Sequence, residues 1–278
     1  MLPVQIFICN PATKSWLPIP YPKQIKRYPY ADDVIMLLAY YHGPDDYMVL
    51  NFQRPYPPSS LYYTCEYYKP NEGSWKKMER RFFTGGREIK FNMLVYDNGI
   101  IHLMSNQFPV RQRNSHLYAP CIVSCNLEND TTTTLKLPRG AKKSRIDFFF
   151  SEVGIFKWGK VSSSAESSIC FVRLRKSVFT IWALTDYESS RWKRILKIRI
   201  KGMGLREKDP VVTGFAVVNG DLLIFSTERG LYSYGLTEEN YMVLEKICEH
   251  RCGSSIVCFT PYKDTLHPCG PEGASLLC

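Results

Sequence analysis

No run of 18 or more apolar residues occurs in the 278-residue chain, so no membrane-spanning helix is expected. The start, Met1-Leu2-Pro3-Val4-Gln5-Ile6-Phe7, has no basic region leading into a longer apolar stretch, and a secretory signal is not expected. Glycine-rich phosphate loops, nucleophile elbows and zinc-protease helix motifs are all missing. The chain is therefore expected to be non-catalytic, with no cofactor and no metal. Sustained helical spacing of apolar residues is also scarce, which argues against a helical fold.

What is present points to strands. Apolar residues make up 45%, charged residues 22% and aromatics 14% of the sequence, including 18 Tyr and 15 Phe. That is the composition of a folded protein rich in strand-forming residues. Ten cysteines would suggest disulfides in a short secreted chain, but Cys9, Cys65, Cys125, Cys170 and Cys258 lie in apolar strand-like runs. They read as small buried hydrophobes in a reducing intracellular compartment, cytoplasm or nucleus.

A strand–turn–strand unit recurs along the chain, with hairpins near 6–20, 62–79, 122–138, 179–198 and 231–247. Anchors at Trp16, Trp75, Thr134 and Trp192 recur at a step of about 59 residues, the signature of a repeat fold. Asn10-Pro11, Pro70-Asn71 and Asn129-Asp130 supply turn chemistry. Two further strands precede several hairpins: Val34 to Tyr41 with Tyr47 to Phe52, Phe91 to Tyr96 with Ile100 to Ser105, and Val212 to Val218 with Asp221 to Ser226. Asn98-Gly99 and Asn219-Gly220 join the last two pairs and are strong hairpin signals. Four antiparallel strands per repeat predict one all-β propeller domain over 1–278, with about five to seven blades. The first blade shows only its last two strands.

The segment Phe7-Ile8-Cys9-Asn10-Pro11-Ala12-Thr13-Lys14-Ser15-Trp16-Leu17-Pro18-Ile19-Pro20 resembles the opening hairpin of plant F-box-associated, kelch-type propeller domains. Ile181-Trp182-Ala183-Leu184-Thr185-Asp186, Asn219-Gly220-Asp221-Leu222-Leu223-Ile224-Phe225 and Gly230-Leu231-Tyr232-Ser233-Tyr234 resemble the same family. The resemblance implies the substrate-recognition half of a ubiquitin ligase, a protein-binding domain and not an enzyme. The F-box itself has no match in the chain, so a Skp1–cullin partner is expected only if an F-box lies upstream.

The net charge of +10 is expected to be polarised. Loops between blades, and between second and third strands, are assigned to 20–33, 53–60, 80–90, 107–116, 139–145, 159–167, 199–210 and 227–230, and basic residues dominate them. The opposite turns are mostly acidic. A basic loop face suits an acidic or phosphorylated protein target. Its expected contact residues are Arg54, Tyr56, Arg87, Phe108, Arg111, Arg113, His116, Arg145 and Arg206. Nucleic-acid binding or carbohydrate activity is the alternative; the pairs Asp32-Asp33 and Asp45-Asp46 are of the type that glycosidases use. Cys248, His250 and Cys252, with His267 and Cys269 beyond, lack the spacing of a second close ligand pair and read as ordinary strand and loop residues.

Overall fold

The computed structural model describes residues 6–10, 12–22, 34–43, 46–53, 62–79, 81–84, 89–105, 120–129, 131–141, 152–159, 168–237 and 242–250, with Val257 and Phe259. Among these residues there is no α-helix, only strands and two short 3-10 turns. The chain packs as two compact units. One comprises Met1–Arg87, Cys125–Thr132 and Tyr262–Cys278; the other comprises Glu88–Ser124 and Thr133–Pro261.

Strands β1 (Ile6–Asn10) and β2 (Ser15–Ile19) pair as a two-stranded sheet. Strands β3 (Val34–Gly43), β4 (Asp46–Gln53), β5 (Tyr62–Tyr68) and β6 (Trp75–Lys77) follow as a meander, and β7 (Phe82–Phe83) also pairs with β5. In this first unit Ile19, Val49 and Tyr68 form a small core, with Ile6, Ile8 and Trp75 packed against it.

Three four-stranded sheets come next along the chain. They are β8 (Ile89–Asp97), β9 (Ile100–Ser105), β10 (Cys121–Asn126) and β11 (Thr132–Lys136); then β12 (Glu152–Trp158), β13 (Ser168–Arg175), β14 (Val178–Asp186) and β15 (Arg191–Arg199); then β16 (Val212–Val218), β17 (Leu222–Thr227), β18 (Gly230–Gly235) and β19 (Leu244–Glu249). Strand order in each sheet follows chain order. The fold is therefore all-β and built of propeller blades, each an up-and-down antiparallel sheet.

The middle sheet shows why its strands are apolar almost throughout. Successive side chains of a strand point to opposite faces. On β13, Ile169 and Phe171 enter one core with Val95, Met104, Ile122 and Leu135. Cys170, Val172 and Leu174 enter a second core with Val217, Leu223, Phe225 and Tyr232. On β14, Trp182 and Leu184 join the first core, and Phe179 and Ile181 the second. Both faces of this sheet are buried against neighbours. Phe171, Phe179 and Phe225 are all fully buried, and truncating such rings costs about 3–5 kcal/mol.

The tryptophan anchors have a physical role. The Trp75 indole N–H donates to the Pro20 carbonyl, and Trp192 Nε1 donates to the Lys136 carbonyl at 2.8 Å. Each reaches back to the end of the preceding outer hairpin. Lys136 N–H in turn donates to Ser190 Oγ at 3.2 Å, so the next sheet's side chains satisfy both main-chain groups of Lys136. Trp16 Nε1 is buried with no acceptor among the described residues. Losing one such bond costs about 1 kcal/mol, so Trp192→Phe is expected to lower Tm by about 2–4 °C. An unchanged melting curve would show that the bond does not hold the sheets together.

Two sequence expectations need correction. The fourth repeat has a first pair, β12 and β13, so residues 159–167 join first and second strands; the second-to-third connection is instead Lys176-Ser177. Both residues adopt positive φ, 48° and 57°, making a two-residue hairpin turn without the usual Asn or Gly. That is why the sequence concealed it. Cys9, expected to be buried, is exposed, whereas Cys65, Cys125 and Cys170 are buried; burial pushes the Cys170 thiol up to about 12. Cys258 lies outside the described residues.

Candidate anion-binding cleft

Lys176 and Ser177 sit at the tip of the β13–β14 hairpin. The Ile200 N–H donates to the Ser177 carbonyl at 2.9 Å, tying that tip to the chain leaving β15. This segment, 200–211, is pinned from below: Ile200, Met203 and Leu205 are buried in the second core. Gly204, at φ +96°, closes the 3-10 turn Ile200–Met203 with its N–H donating to the Lys201 carbonyl. Further along, Glu207 accepts hydrogen bonds from Thr227 Oγ1 at 2.9 Å and from the Tyr232 hydroxyl. Burial first, and the neighbouring Glu207 carboxylate second, push the Tyr232 hydroxyl up to about 12. It stays protonated and serves as a donor.

Between the hairpin tip and the pinned segment lies an open cavity of about 380 Å³, lined by Lys176, Ser177, Arg199, Lys201, Asp209, Pro210 and Val211. Three cations face one carboxylate. Lys201 Nζ lies 3.3 Å from Asp209 Oδ1, and both side chains are largely exposed at 59% and 81%. Such a pair contributes little to stability. Neither Lys176 nor Arg199 has a carboxylate partner among the described residues. Lys176 and Ser177 owe their positive φ to the two-residue hairpin turn, and Asp209 beside them also has positive φ, 50°. The arrangement can hold an anionic group by charge and by the Ser177 hydroxyl.

Of the contact residues expected from sequence, only Arg206 is described. It is exposed on the 200–211 segment but does not line the cavity. Arg54, Tyr56, Arg87, Phe108, Arg111, Arg113, His116 and Arg145 lie outside the described residues. Lys176, Ser177 and Arg199 were not among the expected contacts. The signal available was the close succession of two apolar runs, Ile169 to Leu174 and Val178 to Leu184, interrupted by Arg175-Lys176-Ser177. Among the described residues, no group of three or more His, Cys, Asp or Glu is placed to hold a metal ion. Cys252, His267 and Cys269 are not described, nor are Asp32, Asp33 and Asp45.

A second polar cluster lies inside the second unit. His102 Nδ1 shares a 2.9 Å hydrogen bond with Ser124 Oγ, and Asp97 Oδ1 pairs with Lys157 Nζ at 2.8 Å. His102 is 3% and Ser124 1% exposed, so this serine and histidine are sealed from any substrate.

No protein-family model and no curated protein sequence matches the chain. Several solved structures are similar. An oligogalacturonate lyase in complex with manganese gives a TM-score of 0.45 at 8% identity, covering 86% of this chain and 60% of that one. An exo-β-1,3-galactanase from Phanerochaete chrysosporium, bound to β-1,3-galactotriose, gives 0.38 at 11% identity, covering 73% and 46%. A Trypanosoma rangeli sialidase, as a covalent intermediate with difluorosialic acid, gives 0.40 at 11% identity, covering 88% and 42%. This chain thus spans less than two thirds of the length of each. All three are named as carbohydrate enzymes and none as an F-box or kelch protein. That finding overturns the expectation of a non-catalytic ubiquitin-ligase receptor for an acidic or phosphorylated protein. Scores this low assign the present chain no substrate and no catalytic residue.

Proposed function

We propose that this chain is a carbohydrate-active propeller that binds an anionic saccharide in the cleft between the β13–β14 turn and segment 199–211. The observation that carries this reading is the lining itself: Lys176, Arg199 and Lys201 around a cavity of about 380 Å³. Two of the three cations lack a carboxylate partner among the described residues, so a ligand carboxylate or sulfate would meet charge that the fold leaves available. Among the described residues no aromatic side chain lines the cavity.

Equilibrium binding of trigalacturonate, neutral galactotriose and a single-stranded oligothymidylate tests the reading. The acidic trisaccharide is expected to bind in preference to the other two. The double variant Lys176→Glu, Arg199→Glu is expected to weaken it at least about tenfold. Equal binding of acidic and neutral sugars would refute the proposal, as would indifference to the double variant. Tightest binding of the oligonucleotide, with steep salt dependence, would assign the basic edge to nucleic acid instead.

A further inference from the structure

Among the described residues that line the cleft, Asp209 is the one acid, beside the cations Lys176, Arg199 and Lys201. Its carboxylate rests on Lys201 at 3.3 Å. No other hydrogen bond holds it among the described contacts, and its side chain is 81% exposed. Single lysine contacts also hold Glu72 and Glu249, neither of which lines the cleft; other carboxylates are held more than once. Glu207 accepts from both Thr227 and Tyr232, and Asp186 accepts from the Ser189 hydroxyl and N–H. Asp209 also sits at φ +50°, a conformation that Asp and Asn tolerate better than most residues. Backbone geometry alone would be met equally well by Asn.

We infer that Asp209 is a resident, displaceable occupant of the cleft: its carboxylate stands on Lys201 where the carboxylate of a uronic-acid residue binds. The inference rests on the anionic-saccharide reading and adds both a ligand class, a carboxylated sugar, and a built-in competitor. Binding moves Lys201 from the internal carboxylate to the ligand's, with no covalent change. The empty cleft is thereby partly neutralised, and weak anions that cannot displace Asp209 are kept out.

The test compares wild type with Asp209→Asn, which keeps the side-chain shape and the backbone preference but not the charge. Glu228→Gln removes the same charge from an exposed turn outside the cleft. Binding of trigalacturonate is measured beside its fully methyl-esterified, uncharged form. Asp209→Asn is expected to bind the acid about three- to tenfold more tightly, the effect of removing one nearby like charge in a wet site. Glu228→Gln should leave the affinity within about twofold of wild type, because an exposed charge beyond the cleft is screened. The ester should bind no better to Asp209→Asn than to wild type. Equal acid binding by wild type and Asp209→Asn overturns the resident-occupant inference and leaves the cleft standing. The same gain in Glu228→Gln overturns it too, since the effect would then be one of net charge. If neither wild type nor Asp209→Asn binds the acid, the cleft reading and the inference fall together.

Discussion

Gly220→Ala is expected to cost the second unit about 3–5 kcal/mol, enough to unfold a marginally stable unit. Gly220 closes the β16–β17 turn at φ +78°, and a Cβ there would lie 2.0 Å from the Gly159 carbonyl oxygen and 2.7 Å from the Gly159 nitrogen and carbonyl carbon. Those are main-chain atoms, so no side chain can swing aside. Gly159 N–H also donates to the Gly220 carbonyl at 3.4 Å, and prising the turns apart breaks that bond. Gly204 is the control within the same unit. It too has positive φ, +96°, but a Cβ there meets nothing within 4 Å. Gly204→Ala should therefore show only the backbone preference, about 1–2 kcal/mol. Urea unfolding of both variants separates the two costs. Equal losses would mean that the Gly159–Gly220 approach is not a tight contact.

Acid should destabilise the second unit through His102. Burial holds its pKa down to about 4 from the ordinary 6.5, against the opposing pull of the Asp97 carboxylate. Asp97 is paired with Lys157, Tyr187 stands edge-on to the imidazole at 5.8 Å, and Ser124 Oγ lies 2.9 Å from Nδ1. Between pH 6.5 and 4 the unfolded chain takes up a proton that folded His102 refuses. The stability associated with neutral His102 is therefore complete above about 6.5. It is lost progressively as pH falls, and the loss levels off below about 4. The total is about 3 kcal/mol. His102→Gln can still hydrogen-bond Ser124 but does not titrate. Wild type should lose about 3 kcal/mol more than this variant between pH 7 and pH 4 in denaturant titrations. Parallel losses would place the proton elsewhere.

Much of the blade pattern was legible because its turns use residues chosen for backbone geometry. Asn98-Gly99 and Asn219-Gly220 take φ of 47° and 76°, and 53° and 78°, which is the reason Asn-Gly announces a hairpin. The tryptophan rhythm was legible because Trp75 and Trp192 make equivalent bonds to the preceding hairpin. Thr134 occupies the same place in the repeat but has no indole N–H to make that bond. The cleft was hidden for the opposite reason. Lys176 and Ser177 make a turn that their residue types do not advertise, and this displaced the loop assignment of the fourth repeat by one strand. Basic loops could be recognised as basic, but which cations remain without carboxylates depends on side chains brought together by folding. Lys201 meets Asp209, while Arg199, two residues away, meets none among the described residues.

The double burial of the middle sheet sets how the second unit can come apart. Strands β13 and β14 contribute to both cores, whereas the sheets on either side each share one of them. Such a stack behaves as a short one-dimensional chain of coupled elements. The last of the three sheets, which ends in the exposed strand β19, can fray alone and leave one interface broken, but melting the middle sheet breaks both at once. Amide exchange should then be slower on β13 and β14 than on β16–β19, and local openings should begin at β19.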